Sequence, residues 1–204
     1  MKMKSLAIIS LILCSITGTI YPQNFESKLS EAQSAYKSGN LDDARMALQE
    51  ALNEVNLTIG KEVLALLPET MKDLSFDATQ DGVNGTGLGY AGLYVSRTYG
   101  QAGNNQSASI VIITDSPLLA GINSILSLPA IMTSGADSDQ KRIKIGTYKA
   151  LLQINEDEDG TKNFDVQVPF GNSLLTFHCE GYSETDVTAM ANTIPVAKID
   201  EKTR

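Results

Sequence analysis

Tryptophan is absent, histidine occurs once and cysteine twice in 204 residues, and these shortages remove whole classes of chemistry. With His178 alone there is no HExxH pair, and with only Cys14 and Cys179 there is no CxxC. A transition-metal centre built on imidazoles and thiolates therefore has no ligand set. No GxSxG elbow occurs, and any Ser-His-acid triad would have to be built on His178. Carboxylate-only hydrolysis is the chemistry left open, because paired acids can come from anywhere in a chain. The expectation is a protein that is not an enzyme and holds no cofactor.

Positive charge is also scarce, with 16 Lys and Arg against 24 Asp and Glu, a formal charge of -8. That balance opposes phosphate backbones and anionic headgroups, so nucleic acid is not an expected partner. The apolar run at the start, Leu6 to Leu13, is far shorter than the ~20 residues a membrane span needs. It follows Lys2 and Lys4 and precedes Ser15, Thr17, Gly18 and Thr19, the order of a secretory signal peptide. Residues 1–22 are read as that leader, cut between Gly18 and Gln23, and the protein as exported to the periplasm or beyond. A competing reading makes Cys14 the lipidated first residue of a membrane-anchored lipoprotein, although Leu13 is bulky where a small residue is usual. Membrane association is expected only through Cys14.

Loss of the leader leaves 14 basic against 24 acidic residues, a formal charge of -10, and Cys179 as the single thiol. No intramolecular disulfide can then form. In LLTFHCEG, His178 and Cys179 read as neighbours on a strand, so their side chains point to opposite faces and cannot share a proton. A buried cysteine and a surface or capped histidine are expected.

Two regimes follow the leader. Residues 25–67 are rich in Ala, Leu, Glu, Lys and Gln, and read as two amphipathic helices, Glu26 to Ser38 and Leu41 to Asn56, broken at Gly39 and Asn40. Gly39 supplies the left-handed residue that ends a helix, and Asn40 caps the next. The segment IGKEVLALLP continues the second helix through or around Gly60 and stops before Pro68. Ala32, Gly39, Ala44, Leu48 and Ala51, with Tyr36 one place from the usual aromatic, resemble a tetratricopeptide repeat. The likeness covers about 34 residues and occurs once. A single repeat cannot bury its own apolar face, so that face must pack on something else.

Residues 68–199 read mostly as strands. Gly92 to Gly100 alternates, with Leu93, Val95, Arg97 and Tyr99 on one face, and Ser107 to Ser116 has the composition of a central strand covered on both sides. Ser116 and Pro117 then open a short helix with Leu118, Leu119, Ile122, Ile125 and Leu126 at helical spacing. The strand-like segments RIKIGTYKALLQIN, NFDVQVPFG and SLLTFHCEG form an antiparallel meander. A last helix runs from Ser183 to Pro195, and residues 200–204 read as a polar tail. The fold class is α+β: an antiparallel β-sheet with packed helices, preceded by an N-terminal helical hairpin.

The element order, the step at Gly146, Ala150 and Leu151, the pair VPFGNSLLTFHCEG and the closing helix from SETD are similar to the exported Mog1/PsbP-like proteins. That resemblance covers roughly residues 68–199. It implies an accessory or binding role and transfers no functional residue.

Two motifs imitate functional ones and are read first as structure, with a weak calcium contact left open at the second. Gly87 to Gly92 spells GxGxxG, but DATQDGVN precedes it in place of an apolar strand and a strand follows in place of a helix. Asn155, Asp157, Asp159, Gly160, Thr161 and Asn163 imitate a calcium loop whose twelfth place is Val166 where a glutamate is needed. An acidic hairpin tip is the expected structure.

The function expected is a non-catalytic, exported module of the cell envelope acting in protein interaction or assembly, with an envelope protein or a second copy as partner. Its candidate surface is Leu118, Leu119, Ile122, Ile125, Ile131 and Met132 on the central helix, with Tyr36 and Leu48 on the hairpin. The alternative is a small-ligand or lipid-binding domain with a pocket near Tyr90, Tyr94, Phe164 and Phe170.

Overall fold

A computed structural model describes residues 23–85, 92–100, 106–128, 139–157 and 160–204. Two helices come first, α1 (Gln23–Lys37) and α2 (Leu41–Leu66). Between them Gly39 takes φ +79, and the Asn40 side chain accepts a hydrogen bond from the Asp43 amide, so the break falls where the sequence places it. Leu67 leaves α2 into extended backbone, the conformation Pro68 imposes on its neighbour.

The helix runs through Gly60, and the reason lies in packing. A Cβ built there would stand 2.4 Å from Val83 Cγ1 and 2.8 Å from Leu93 Cδ1, so only glycine lets the helix lie this close to the sheet.

The strands are β1 (Thr70–Met71), β2 (Leu74–Ser75), β3 (Gly82–Asn84), β4 (Tyr94–Tyr99), β5 (Ser107–Thr114), β6 (Gln140–Ile145), β7 (Tyr148–Glu156), β8 (Lys162–Phe170) and β9 (Ser173–Glu180). The first two form a small ribbon. The other seven make one antiparallel sheet in the order β3-β4-β5-β9-β8-β7-β6. The last four strands are the expected meander, joined to the first hairpin by β5 against β9. The helix α3 (Leu119–Ser127) leaves β5 in mid-sheet and leads to β6 at the far edge. The fold is α+β, with a helical pair preceding a large antiparallel sheet.

One face of the sheet holds the main core. Val95, Tyr99, Ile110, Ile112, Val166, Leu175 and Phe177 pack there with Val63 of α2 and Leu67 just beyond it, and with α4 (Glu184–Ala191) and α5 (Val196–Thr203). On the other face, among the described residues, α3 covers Leu151 and Leu174 through Ile122 and Leu126.

Several expectations change. β5 is central, but the described residues do not cover both its sides: Ala108, Ile110 and Ile112 are buried, while Val111 and Ile113 are half-buried on the α3 face. Pro195 does not end the final helix. That helix stops at Ala191, and Pro195 stands at the N-terminus of α5. Residues 200–204, read as a polar tail, belong largely to α5. Buried Asp200 accepts from the Tyr148 hydroxyl at 2.9 Å and from Arg204 at 2.9 and 2.6 Å. Those partners satisfy a carboxylate that burial would otherwise penalise.

Candidate interaction surface

The helical hairpin is packed by its smallest side chains. Ala32 of α1 and Ala44, Ala47 and Ala51 of α2 are buried, whereas Leu29, Tyr36, Leu41, Leu48, Leu52 and Val55 stand exposed, from 37% at Leu29 to 70% at Tyr36. At 100° per residue, Leu41, Leu48, Leu52 and Val55 fall within about 60° of one another, roughly 80° around α2 from the alanine seam. Alanines allow close approach of the two helices. Lys28 clamps the pair from α1 to Glu50 at 2.6 Å, and Asn24 donates to Glu54 at 2.7 Å. The second half of α2 meets the sheet instead, with Val63 and Leu67 in the core and the Asn56 amide donating to the Gly85 carbonyl at 2.7 Å.

Tyr36 and Leu48 are therefore exposed. Leu41, Leu52 and Val55 belong to the same stripe and were missed, although the seven-residue spacing of Leu41, Leu48 and Val55 is visible in the sequence. The residues assigned to α3 divide differently. Ile122 and Leu126 are buried on Leu151 and Leu174, and Leu119 and Ile125 are half-buried against the same cluster. Ile122 is thus a core residue and not part of a surface. Leu118, at the N-terminal end of α3, is exposed, and Ile131 and Met132 lie outside the described residues.

The described residues named for the alternative pocket do not share a face of the sheet. Tyr94 points to the α3 face of the sheet, while Phe164 and Phe170 are buried on the opposite face, and Tyr90 lies outside the described residues.

His178 and Cys179 do point to opposite faces. Cys179 is fully buried, and burial pushes its thiol up to about 12. The imidazole of His178 is held at Nδ1 by Asp165 at 2.8 Å and at Nε2 by Glu180 at 3.1 Å. The hydrogen bond to Asp165, more than that to Glu180, raises the imidazole to about 9 against the opposing effect of burial. Glu180 is lowered in turn, chiefly by His178 and also by the Ser107 hydroxyl, which donates to it at 3.1 Å. Asp165 receives a further bond from Asn155. At neutral pH both imidazole nitrogens carry protons engaged with carboxylates, so neither has a lone pair for a nucleophile's proton. The chain Asn155, Asp165, His178, Glu180, Ser107 ties β7, β8, β9 and β5 together across the α3 face.

The calcium-like segment is the turn between β7 and β8. There Asn163 donates to Asp157 at 2.8 Å, and Asp159 lies outside the described residues. Among the described residues no group of three or more His, Cys, Asp or Glu side chains is placed to hold a metal ion. The GxGxxG segment lies outside the described residues up to Ala91. β3 precedes it, and β4 begins at Tyr94. No described helix is long and apolar enough to cross a membrane.

No family model, curated protein or solved structure matches this chain.

Proposed function

We propose that this is an exported, non-catalytic module of the cell envelope that acts by binding another protein, or a second copy of itself, through the α1–α2 hairpin. The observation that carries the reading is the hairpin's packing: alanines fill the seam between the helices, and the leucines, valine and tyrosine are left facing water. A contiguous apolar stripe of this kind on a folded chain marks a surface that another surface covers. The tetratricopeptide-like pattern supports the reading, because a lone repeat lacks the neighbours that would bury such a stripe. So does the Mog1/PsbP-like likeness of the sheet domain, which implies an accessory role. Residues 1–22 supply the export signal.

The test is crosslinking and size analysis of the native protein beside a Leu48→Glu/Leu52→Glu variant. The native protein forms a discrete complex or dimer, and the variant loses it while keeping its fold. A strictly monomeric native protein with no stripe-dependent partner contradicts the proposal.

A further inference from the structure

Nine large apolar side chains stand exposed among the described residues. Seven lie on the hairpin, and the other two, Leu118 (57%) and Leu128 (44%), bracket α3. That helix carries no charged residue, and its exposed positions Ala120, Gly121, Asn123, Ser124 and Ser127 are small and uncharged. Its buried side rests on the sheet through Ile122 and Leu126.

Beside α3, at the edge of the sheet, Lys144 of β6 and Lys149 of β7 are register partners. Both lie on the α3 face. Arg142, two residues from Lys144, donates to the Ile125 carbonyl of α3 at 2.7 Å, and Leu151, two residues from Lys149, is buried under α3. Both lysines are exposed, and neither forms an ion pair or hydrogen bond among the described residues. Like charges directly opposite on a sheet are destabilising, and among the described residues no acid is placed against this pair. The neighbouring Lys141 points the other way, to Glu184 of α4.

The far end of the same face is acidic. Asp165 and Glu180 flank His178, and Asp157 stands at the β7–β8 turn, roughly 26 Å from Lys149 along β7. The described charges are thus uneven, with two lysines and an uncharged apolar helix at one end, where the exposed Asp115 accepts from the Asn172 amide at 2.7 Å, and the other carboxylates of this face at the far end.

We propose that the α3 end of this face docks on a membrane surface with anionic headgroups. Lys144 and Lys149 meet the phosphates, Leu118 and Leu128 enter the acyl boundary, and the acidic turn points away. An uncharged helix of small residues flanked by exposed leucines fits a lipid surface better than an acidic peptide, which the lysines alone would recognise. Asp165, Glu180 and Asp157 lie beyond the screening length of about 8 Å from the two lysines at physiological salt, which leaves Asp115, three residues before Leu118, as an acid near the docked end. The residues differ from those of the hairpin stripe, so this inference and the proposed function stand or fall separately.

The test uses protein from the soluble fraction of expressing cells, with its N-terminus and any lipid on Cys14 read by mass spectrometry. Flotation is measured with vesicles of phosphatidylcholine alone or mixed with phosphatidylglycerol, in about 0.1 M salt. Binding is expected to phosphatidylglycerol vesicles only. It should fall about 30-fold in Lys144→Gln/Lys149→Gln, at about fivefold per lysine, and fall also in Leu118→Ser/Leu128→Ser. Both variants keep the thermal midpoint, which separates lost docking from lost fold. Absent binding, equal binding to neutral vesicles, or binding unchanged in the lysine variant overturns the proposal. Displacement by soluble polyglutamate, with no effect of the leucine changes, overturns it in favour of an acidic protein partner.

Discussion

Arg97 on β4 meets Asp81 in a two-point ion pair, Nη2 to Oδ2 at 2.7 Å and Nε to Oδ1 at 3.0 Å, with both side chains almost wholly buried. The same guanidinium donates to the Leu67 carbonyl at 3.0 Å and lies over the Phe76 ring. It thereby fixes the end of α2 to the sheet and so positions the hairpin that projects the apolar stripe.

Breaking this pair from one side leaves a buried charge without its partner. Asp81→Ala is expected to cost about 3–5 kcal/mol. Urea unfolding checks it, and the double change Arg97→Met/Asp81→Leu should recover most of the loss. A cost below about 1 kcal/mol would mean the pair is not buried as described.

Gly60 gives a prediction of opposite sign to helix propensity. Alanine is favoured over glycine in a helix by about 1 kcal/mol, but here its methyl would enter Val83 and Leu93. Gly60→Ala should therefore destabilise, by about 1–3 kcal/mol as overpacked sites do. The urea midpoint reads it directly.

His178 sets an alkaline limit on stability. Its folded value of about 9 lies above the ordinary 6.5, so its contribution is complete below pH 6.5 and is lost as pH rises toward 9. Glu180 is lowered, so its contribution is present above the ordinary carboxylate range and is lost on acidification. The thermal midpoint should fall between pH 6.5 and 9 in the native protein, and His178→Gln should flatten that slope. The two carboxylates beside the imidazole are partly exposed, so the slope will be shallow and sharpest at low salt.

Cys179 is fully buried and faces the core, so maleimide should not label it in the folded protein and should label it after denaturation. The denatured count also reports processing, with two thiols if Cys14 remains unmodified and one if it has left with the leader or carries a lipid. Rapid labelling of Cys179 in the native state would contradict its placement.

Much of this fold is legible in the sequence because its punctuation is local. Gly39 and Asn40 mark the hairpin, Pro68 ends α2, and the alternation of residues 93–99 defines β4. What is not legible depends on distant partners. β1, β2 and β3 are too short to show a period and exist because neighbouring strands pair with them. The end of α5 reads as polar because nothing nearby in sequence shows that Asp200 is met by Tyr148. The candidate surface was half visible. Spacing finds the apolar residues of both α3 and α2, but which stripe a helix buries depends on what lies opposite. α3 has the sheet beneath it, while α2 is held to α1 by alanines and leaves its leucines outside.

The central claim is that this leucine stripe is covered by a protein surface. Light scattering coupled to size exclusion, run on the native protein alone and with its crosslinked partner, tests it most directly against Leu48→Glu/Leu52→Glu. The account predicts an assembly larger than the monomer that disappears in the variant, whose stability changes by no more than about 0.5 kcal/mol, as for surface substitutions. An assembly untouched by the variant, or a native protein monomeric under every condition, contradicts it.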